Sequence, residues 1–151
     1  MLRFRKYSMT LVQSCLVSAV LLSTSLGLAC SVNAGPVSFA QINPLLGTAY
    51  YGTGVIDVAC PSLTSYSISL STGQGSFSAR RMTSGERELF YNLYTGPAHA
   101  NVWGDGTGGS IQVNGEAGSS GSSHTVYGRL PVQSGAVVGL YSDSIVVTVS
   151  Y

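Results

Sequence analysis

Gly139-Leu140-Tyr141-Ser142-Asp143-Ser144-Ile145-Val146-Val147-Thr148-Val149-Ser150-Tyr151 is the stretch whose reading decides the fold. Ile145, Val147, Val149 and Tyr151 fall on one side of an extended strand, and Val146, Thr148 and Ser150 on the other. A period of two in β-branched and aromatic residues marks a strand with one buried face. The apolar face is still running at Tyr151, where a last strand would ordinarily meet a turn or a polar tail. Either the strand lies within a sheet that earlier strands complete, or it flanks a gap that another chain fills.

Upstream the same period recurs. Tyr50–Cys60 places Gly54, Ile56, Val58 and Cys60 on one face, and Pro61 ends it. Tyr66, Ile68 and Leu70 alternate with Ser67, Ser69 and Ser71 in a half-buried strand. Leu89–Tyr94 is apolar or aromatic on both faces, which predicts a strand deep in the structure. Phe77–Met82, Ile111–Val113 and His124–Leu130 read as further extended segments, and Ala98–Trp103 reads as continuing Leu89–Tyr94 after a break at Pro97. Cys30–Phe39 is a first strand interrupted at Pro36, hence an edge or a sheet-switching strand. Asn43-Pro44 opens a turn, and Gly115–Ser123 reads as a mobile Gly/Ser loop. With 19 glycines and only 9% charged residues, the composition is all-β. Six to seven strands at this spacing predict one β-sandwich domain over residues 30–151.

Residues 1–29 differ in kind. Arg3, Arg5 and Lys6 make a basic head, Leu11–Leu28 is largely apolar, and Gly27-Leu28-Ala29 carries small residues where signal peptidase reads. This pattern predicts a secretory signal peptide. Read instead as a membrane anchor, the segment is weakened by Gln13, Ser14, Ser18, Ser23, Thr24 and Ser25, and no basic stop-transfer signal follows. A lipoprotein reading of Cys30 meets Gly27 where a bulky aliphatic residue is wanted. The remaining chain has four arginines, no lysine and six carboxylates, a formal net charge of −2. That balance argues against nucleic acid and anionic membrane as partners. Two cysteines, Cys30 and Cys60, remain after residue 29. An even count in an exported domain predicts one disulfide, worth roughly 3–4 kcal/mol by restricting the unfolded chain. No His or third Cys stands at metal-ligand spacing, so no metal or cofactor is expected.

With these segments in view, the chain resembles the spore coat protein U family, whose members include subunits of archaic (Csu-type) chaperone–usher pili. The resemblance rests on Cys30-Ser31-Val32, Phe39–Pro44, Gly54–Cys60, Tyr66–Leu70 with Gly73, and Arg80-Arg81-Met82. It continues through Leu89–Tyr94, Val102–Thr107, Val126–Pro131 and Gly139–Tyr151, in order over essentially all of residues 30–151. It implies an incomplete immunoglobulin-like sandwich whose last strand is supplied in trans. A periplasmic chaperone lends that strand during export, an outer-membrane usher handles assembly, and a neighbouring subunit replaces the loan in the fibre. Carried over, Ile145, Val147, Val149 and Tyr151 line the groove or its margin. The implied product is a secreted, cell-surface fibre subunit with a role in adhesion or biofilm formation. A tip adhesin using loops 104–109 and 115–123, a surface- or glycan-binding module, and a spore coat component are the alternatives.

Cleavage after Ala29 would leave no donor segment before the first cysteine, so the chain would accept a strand but not give one, which suits a tip or accessory role. Cleavage after Ala19, preceded by Val17 and Ser18, would leave Val20–Ala29 as a donor. Cleavage after Ala34 would remove Cys30 and leave Cys60 unpaired.

Trp103-Gly104-Asp105-Gly106-Thr107 invites an active-site reading. No Lys follows the glycines, so it is no phosphate loop, and a lone Asp-Gly-Thr lacks its protease twin. The expectation is a tight turn with positive φ at glycines and Asp105 bonded to local amides. His99 and His124 lack a nucleophile elbow, and no enzyme activity is expected. Arg80-Arg81 and Arg129 either meet a partner or pair with Asp105, Asp143 or Glu88. Tyr50, Tyr51, Tyr94 and Tyr127 either form a sugar-binding platform or pack between the sheets.

Overall fold

The computed structural model describes residues 3–6, 29–39, 43 and 47–151. The expected leader therefore lies outside the described residues except for 3–6 and 29, as do Cys15, the possible donor segment save Ala29, and Pro44.

The described residues form nine strands and no helix: β1 Arg3–Lys6, β2 Ser31–Ala34, β3 Tyr50–Ala59, β4 Thr64–Leu70, β5 Arg80–Ser84, β6 Arg87–Tyr94, β7 Val113–Ala117, β8 Ser122–Leu130 and β9 Ser144–Ser150. They assemble into a four-stranded sheet in the order β1-β9-β4-β7 and a five-stranded sheet in the order β2-β3-β8-β6-β5. All pairs are antiparallel except β1 with β9.

The core is where the period-two pattern put it. One sheet contributes Tyr66, Ile68 and Leu70 from β4, Ala117 from β7, and Ile145 and Val147 from β9. The other contributes Ile56, Val58, Met82, Leu89, Tyr91, Leu93, Val126 and Leu130. Each large aliphatic side chain so buried stabilises the fold by about 1.5–3 kcal/mol. Val37 and Phe39, just past β2, also enter this layer, and two glycines explain how. A Cβ on Gly54 would sit 2.8 Å from Val37 Cγ2, and one on Gly128 2.8 Å from Phe39 Cζ. The glycines thus cut a slot into β3 and β8 that the segment after β2 fills. The Cys30–Cys60 disulfide ties the start of β2 to the end of β3.

Four details differ from the sequence reading. Leu89–Tyr94 is an inner strand of its sheet, but its outer face is only partly covered: Asn92 is buried there and Phe90 is exposed. Ala98–Trp103 does not continue that strand. Thr95 N–H donates to Asn101 O, the chain turns back, and only isolated bridges at Val102 and Trp103 remain. Gly115–Ser123 is mostly strand rather than loop. Gly115 runs against the Tyr66 ring, where a Cβ would lie 2.8 Å from Oη, and only Gly118–Gly121 turns. Phe77–Met82 shifts to Arg80–Ser84 because Ser76 and Ala79 close a turn by reciprocal backbone bonds.

Candidate functional site at the last strand

The last strand, β9, is anchored at its start. Asp143 is buried just before it and accepts hydrogen bonds from Tyr91 Oη at 2.7 Å, from the Gln74 amide at 3.2 Å and from the Ser144 amide at 2.7 Å. Gly73 makes room for that carboxylate: its φ is +60°, and a Cβ there would lie 2.1 Å from Asp143 Oδ2. Burial, reinforced by the bond to Asp143, holds the Tyr91 phenol well above its ordinary range. The strand then pairs antiparallel with β4, from Val147 opposite Leu70 to Ser150 opposite Ser67. Ser71 extends the seam, its Oγ accepting from the Val146 amide and its own amide donating to Val146 O.

On its other side β9 meets only β1, parallel, with Arg3 opposite Ser144 and Lys6 opposite Val147. Among the described residues, Thr148–Ser150 have no strand on that side. The side-chain alternation follows the sequence: Ile145 and Val147 are buried, and Val149 is half-buried against the core. Tyr151 departs from it. It lies past the end of β9, 57% exposed, because nothing among the described residues extends beyond Ser150 to cover it.

Behind this strand sits a buried arginine. Arg80 is fully buried, and its guanidinium donates to Ser71 O at 2.8 and 3.1 Å, to Trp103 O at 2.7 Å and to Asn92 Oδ1 at 2.6 Å. It also lies 5.4 Å from the Phe77 ring centroid. Burial lowers its pKa to about 10, with Tyr91 and Asp143 opposing the shift, so it stays charged at neutral pH. Arg80 belongs to the five-stranded sheet, and Ser71 bonds directly to β9. The arginine therefore ties the last strand across the sandwich. Sequence reasoning missed this role, although a signal existed. Arg80 shares parity with buried Met82, and Asp143 shares parity with Ile145 and Val147.

Trp103 completes the tie. It is buried, and its Nε1–H donates to Ile68 O at 3.0 Å, while Gly104 O accepts from the Leu70 amide. The loop beyond turns tightly. Gly106, Gly108 and Gly109 have positive φ, and Asp105 Oδ1 accepts from the Thr107 amide at 2.9 Å and from Thr107 Oγ1 at 2.7 Å. Those bonds, the side-chain one first, hold the Asp105 carboxyl below the usual carboxylate range. A carboxylate engaged with its own turn is not aimed at a ligand.

Of the remaining residues singled out, Arg81 pairs with Glu88 at 2.7 Å, and Arg129 is exposed. His124 faces Tyr66, with Nε2 2.7 Å from Oη, and burial lowers its pKa. His99 lies elsewhere, among tyrosines. Among the described residues no three metal-ligating side chains cluster, and no helix is long and apolar enough to cross a membrane.

The Spore Coat Protein U domain profile matches residues 6–148. No curated protein is matched in sequence. In three dimensions the chain is similar to a chain of the CsuC–CsuE chaperone–tip adhesion subunit pre-assembly complex from archaic chaperone–usher Csu pili of Acinetobacter baumannii. The TM-score is 0.55 at 17% identity, covering 82% of this chain and 39% of that one. This chain therefore spans well under half the length of that neighbour.

Proposed function

The chain belongs to the spore coat protein U family, and from that premise we propose that it is a non-enzymatic subunit of a secreted surface fibre of the archaic chaperone–usher kind, assembled by donor-strand complementation. The observation that carries the proposal is the far edge of β9. Its only strand partner among the described residues is the four-residue β1, and Thr148–Ser150 have none on that side. An exposed strand edge with an apolar face beneath it recruits further backbone. Strand addition supplies backbone bonds and apolar cover together, as pilin donor-strand complementation does.

On this reading residues 1–29 are a signal peptide, and residues 30–151 are the working domain. Removing the leader would take away Arg3–Lys6 and leave Ser144–Val147 without a strand on that side as well. A periplasmic chaperone then covers the edge, an outer-membrane usher receives the complex, and a neighbouring subunit takes the chaperone's place at the cell surface. Adhesion or biofilm formation is the biological role that follows. The Cys30–Cys60 disulfide suits that oxidising route.

Amide exchange provides the test. In the processed chain, the outward amides of Ser144–Ser150 should exchange fast alone and slow markedly once the cognate chaperone or a β-strand peptide is added. Protection unchanged by either would dismiss strand addition at this edge.

A further inference from the structure

A second surface lies on the other sheet. Cross-strand pairing puts Tyr51 of β3 opposite Arg129 of β8, and Tyr94 of β6 opposite Tyr127 of β8. Directly opposed residues share a face, and here it is the outer one: Tyr51 is 59% exposed and Arg129 is exposed. His99 sits among the three phenols, its ring centroid 5.1 Å from Tyr51, 5.1 Å from Tyr94 and 6.5 Å from Tyr127. Tyr50, by contrast, belongs to the inner side, with its hydroxyl bonded to Asn43 O.

The backbone that delivers His99 is unusual. With φ at 53°, it is the one non-glycine residue with positive φ among the described residues. The turn is closed by Thr95 N–H to Asn101 O and by His99 N–H to Gly96 O. A side chain held in a sparsely populated conformation, at the centre of an exposed aromatic cluster, points to a built site rather than a chance patch.

The chemistry narrows the occupant. Aromatic faces accept the C–H face of a pyranose ring, and phenol edges offer hydrogen bonds. Arg129 adds a guanidinium that has no ion-pair or hydrogen-bond partner among the described residues. The acid on this side of β3, Asp57, lies about 20 Å along the strand from Tyr51, where it accepts from Ser123 Oγ. After residue 29 the chain carries a net charge of −2, so a polyanion would not be drawn by a general field. Capture must instead be local, and the planar guanidinium fork matches a carboxylate.

We propose that Tyr51, Tyr94, Tyr127 and Arg129 form a binding site for an acidic saccharide, a uronic-acid-containing polysaccharide. The sugar ring stacks on the tyrosines, the carboxylate meets Arg129, and His99 is a positioning residue that fixes the three rings. The site lies on the sheet that does not contain β9, so it stands or falls separately from strand addition.

Titration calorimetry of the oxidised full chain with an oligogalacturonate tests this. Binding is expected, with Tyr51→Ala and Arg129→Gln each weakening it roughly tenfold or more. The methyl-esterified oligosaccharide should bind wild type as weakly as the acid binds Arg129→Gln, and should be indifferent to that substitution. His99→Asn, which tolerates positive φ, should weaken both forms without changing the preference for the acid. Circular dichroism checks that each variant is folded. No binding by the folded wild type, or equal binding of acid and ester, would overturn the proposal. So would variants that alter only self-association in sedimentation, which would make the face a protein contact instead.

Discussion

Replacing Arg80 by alanine should unfold the link between the two sheets more effectively than any surface change. The guanidinium serves three acceptors: Ser71 O, Trp103 O and Asn92 Oδ1. A hydrogen bond to a charged group contributes about 1.5–3 kcal/mol net, so their joint loss is worth roughly 5–9 kcal/mol. Against this, removing a buried charge recovers part of its desolvation cost. The burial that lowers its pKa to about 10 corresponds to roughly 3 kcal/mol. The balance is a destabilisation of roughly 2–6 kcal/mol. Guanidinium unfolding of wild type and variant, prepared with the same N-terminus and disulfide, measures it. With a slope of about 2–5 kcal/mol/M for a domain of this size, the midpoint should fall by about 0.4–3 M. Arg80→Lys should restore less than half, because an ammonium cannot span the acceptors. If Arg80→Ala came within about 0.5 kcal/mol of wild type, the tie across the sandwich would not exist.

Other outcomes follow from single contacts. Ile145→Ala should cost about 2–5 kcal/mol in the same assay, since the side chain is fully buried. Tyr151→Ala, beyond the strand and exposed, should stay within about 0.5 kcal/mol. Serine at both Cys30 and Cys60 should remove roughly 3–4 kcal/mol, seen as a lower thermal midpoint under oxidising conditions. His124 gives a pH dependence. Burial lowers its folded pKa, so the unfolded chain takes up the proton first as pH falls. Stability should be full above the unfolded pKa of about 6.5 and decline as pH drops through it. His124→Gln should flatten that slope in a denaturation series across this range.

The sandwich was legible because its core strands obey a strict period of two. Ile56 and Val58, Tyr66 to Leu70, and Ile145 and Val147 all point inward as their parity requires. The cysteine pair was legible from count and compartment alone. Elements built from non-local contacts were not. Nothing adjacent to Arg80 reveals that the carbonyl of Trp103 will need a donor. Gly115 reads as loop until the Tyr66 ring is known to cross it. His99 joins three strands' tyrosines only because a turn after β6 folds back, where Pro97 in the sequence suggests no more than a break. Strand β9 was legible from the alternation of Ile145, Val147 and Val149, although Tyr151 does not continue its buried face. That Arg3–Lys6 would pair with it was not, since a basic, non-alternating segment carries no strand signal.

On the proposed mode of assembly, residues 30–151 lack one strand of their own sandwich. The decisive measurement is the thermal unfolding of the oxidised, leader-free domain, recorded alone and with its chaperone or a donor β-peptide. A low, broad transition that becomes sharp and rises by many degrees on addition is what the open edge of β9 predicts. A sharp transition at high temperature, indifferent to every strand offered, would mean that the domain is already complete.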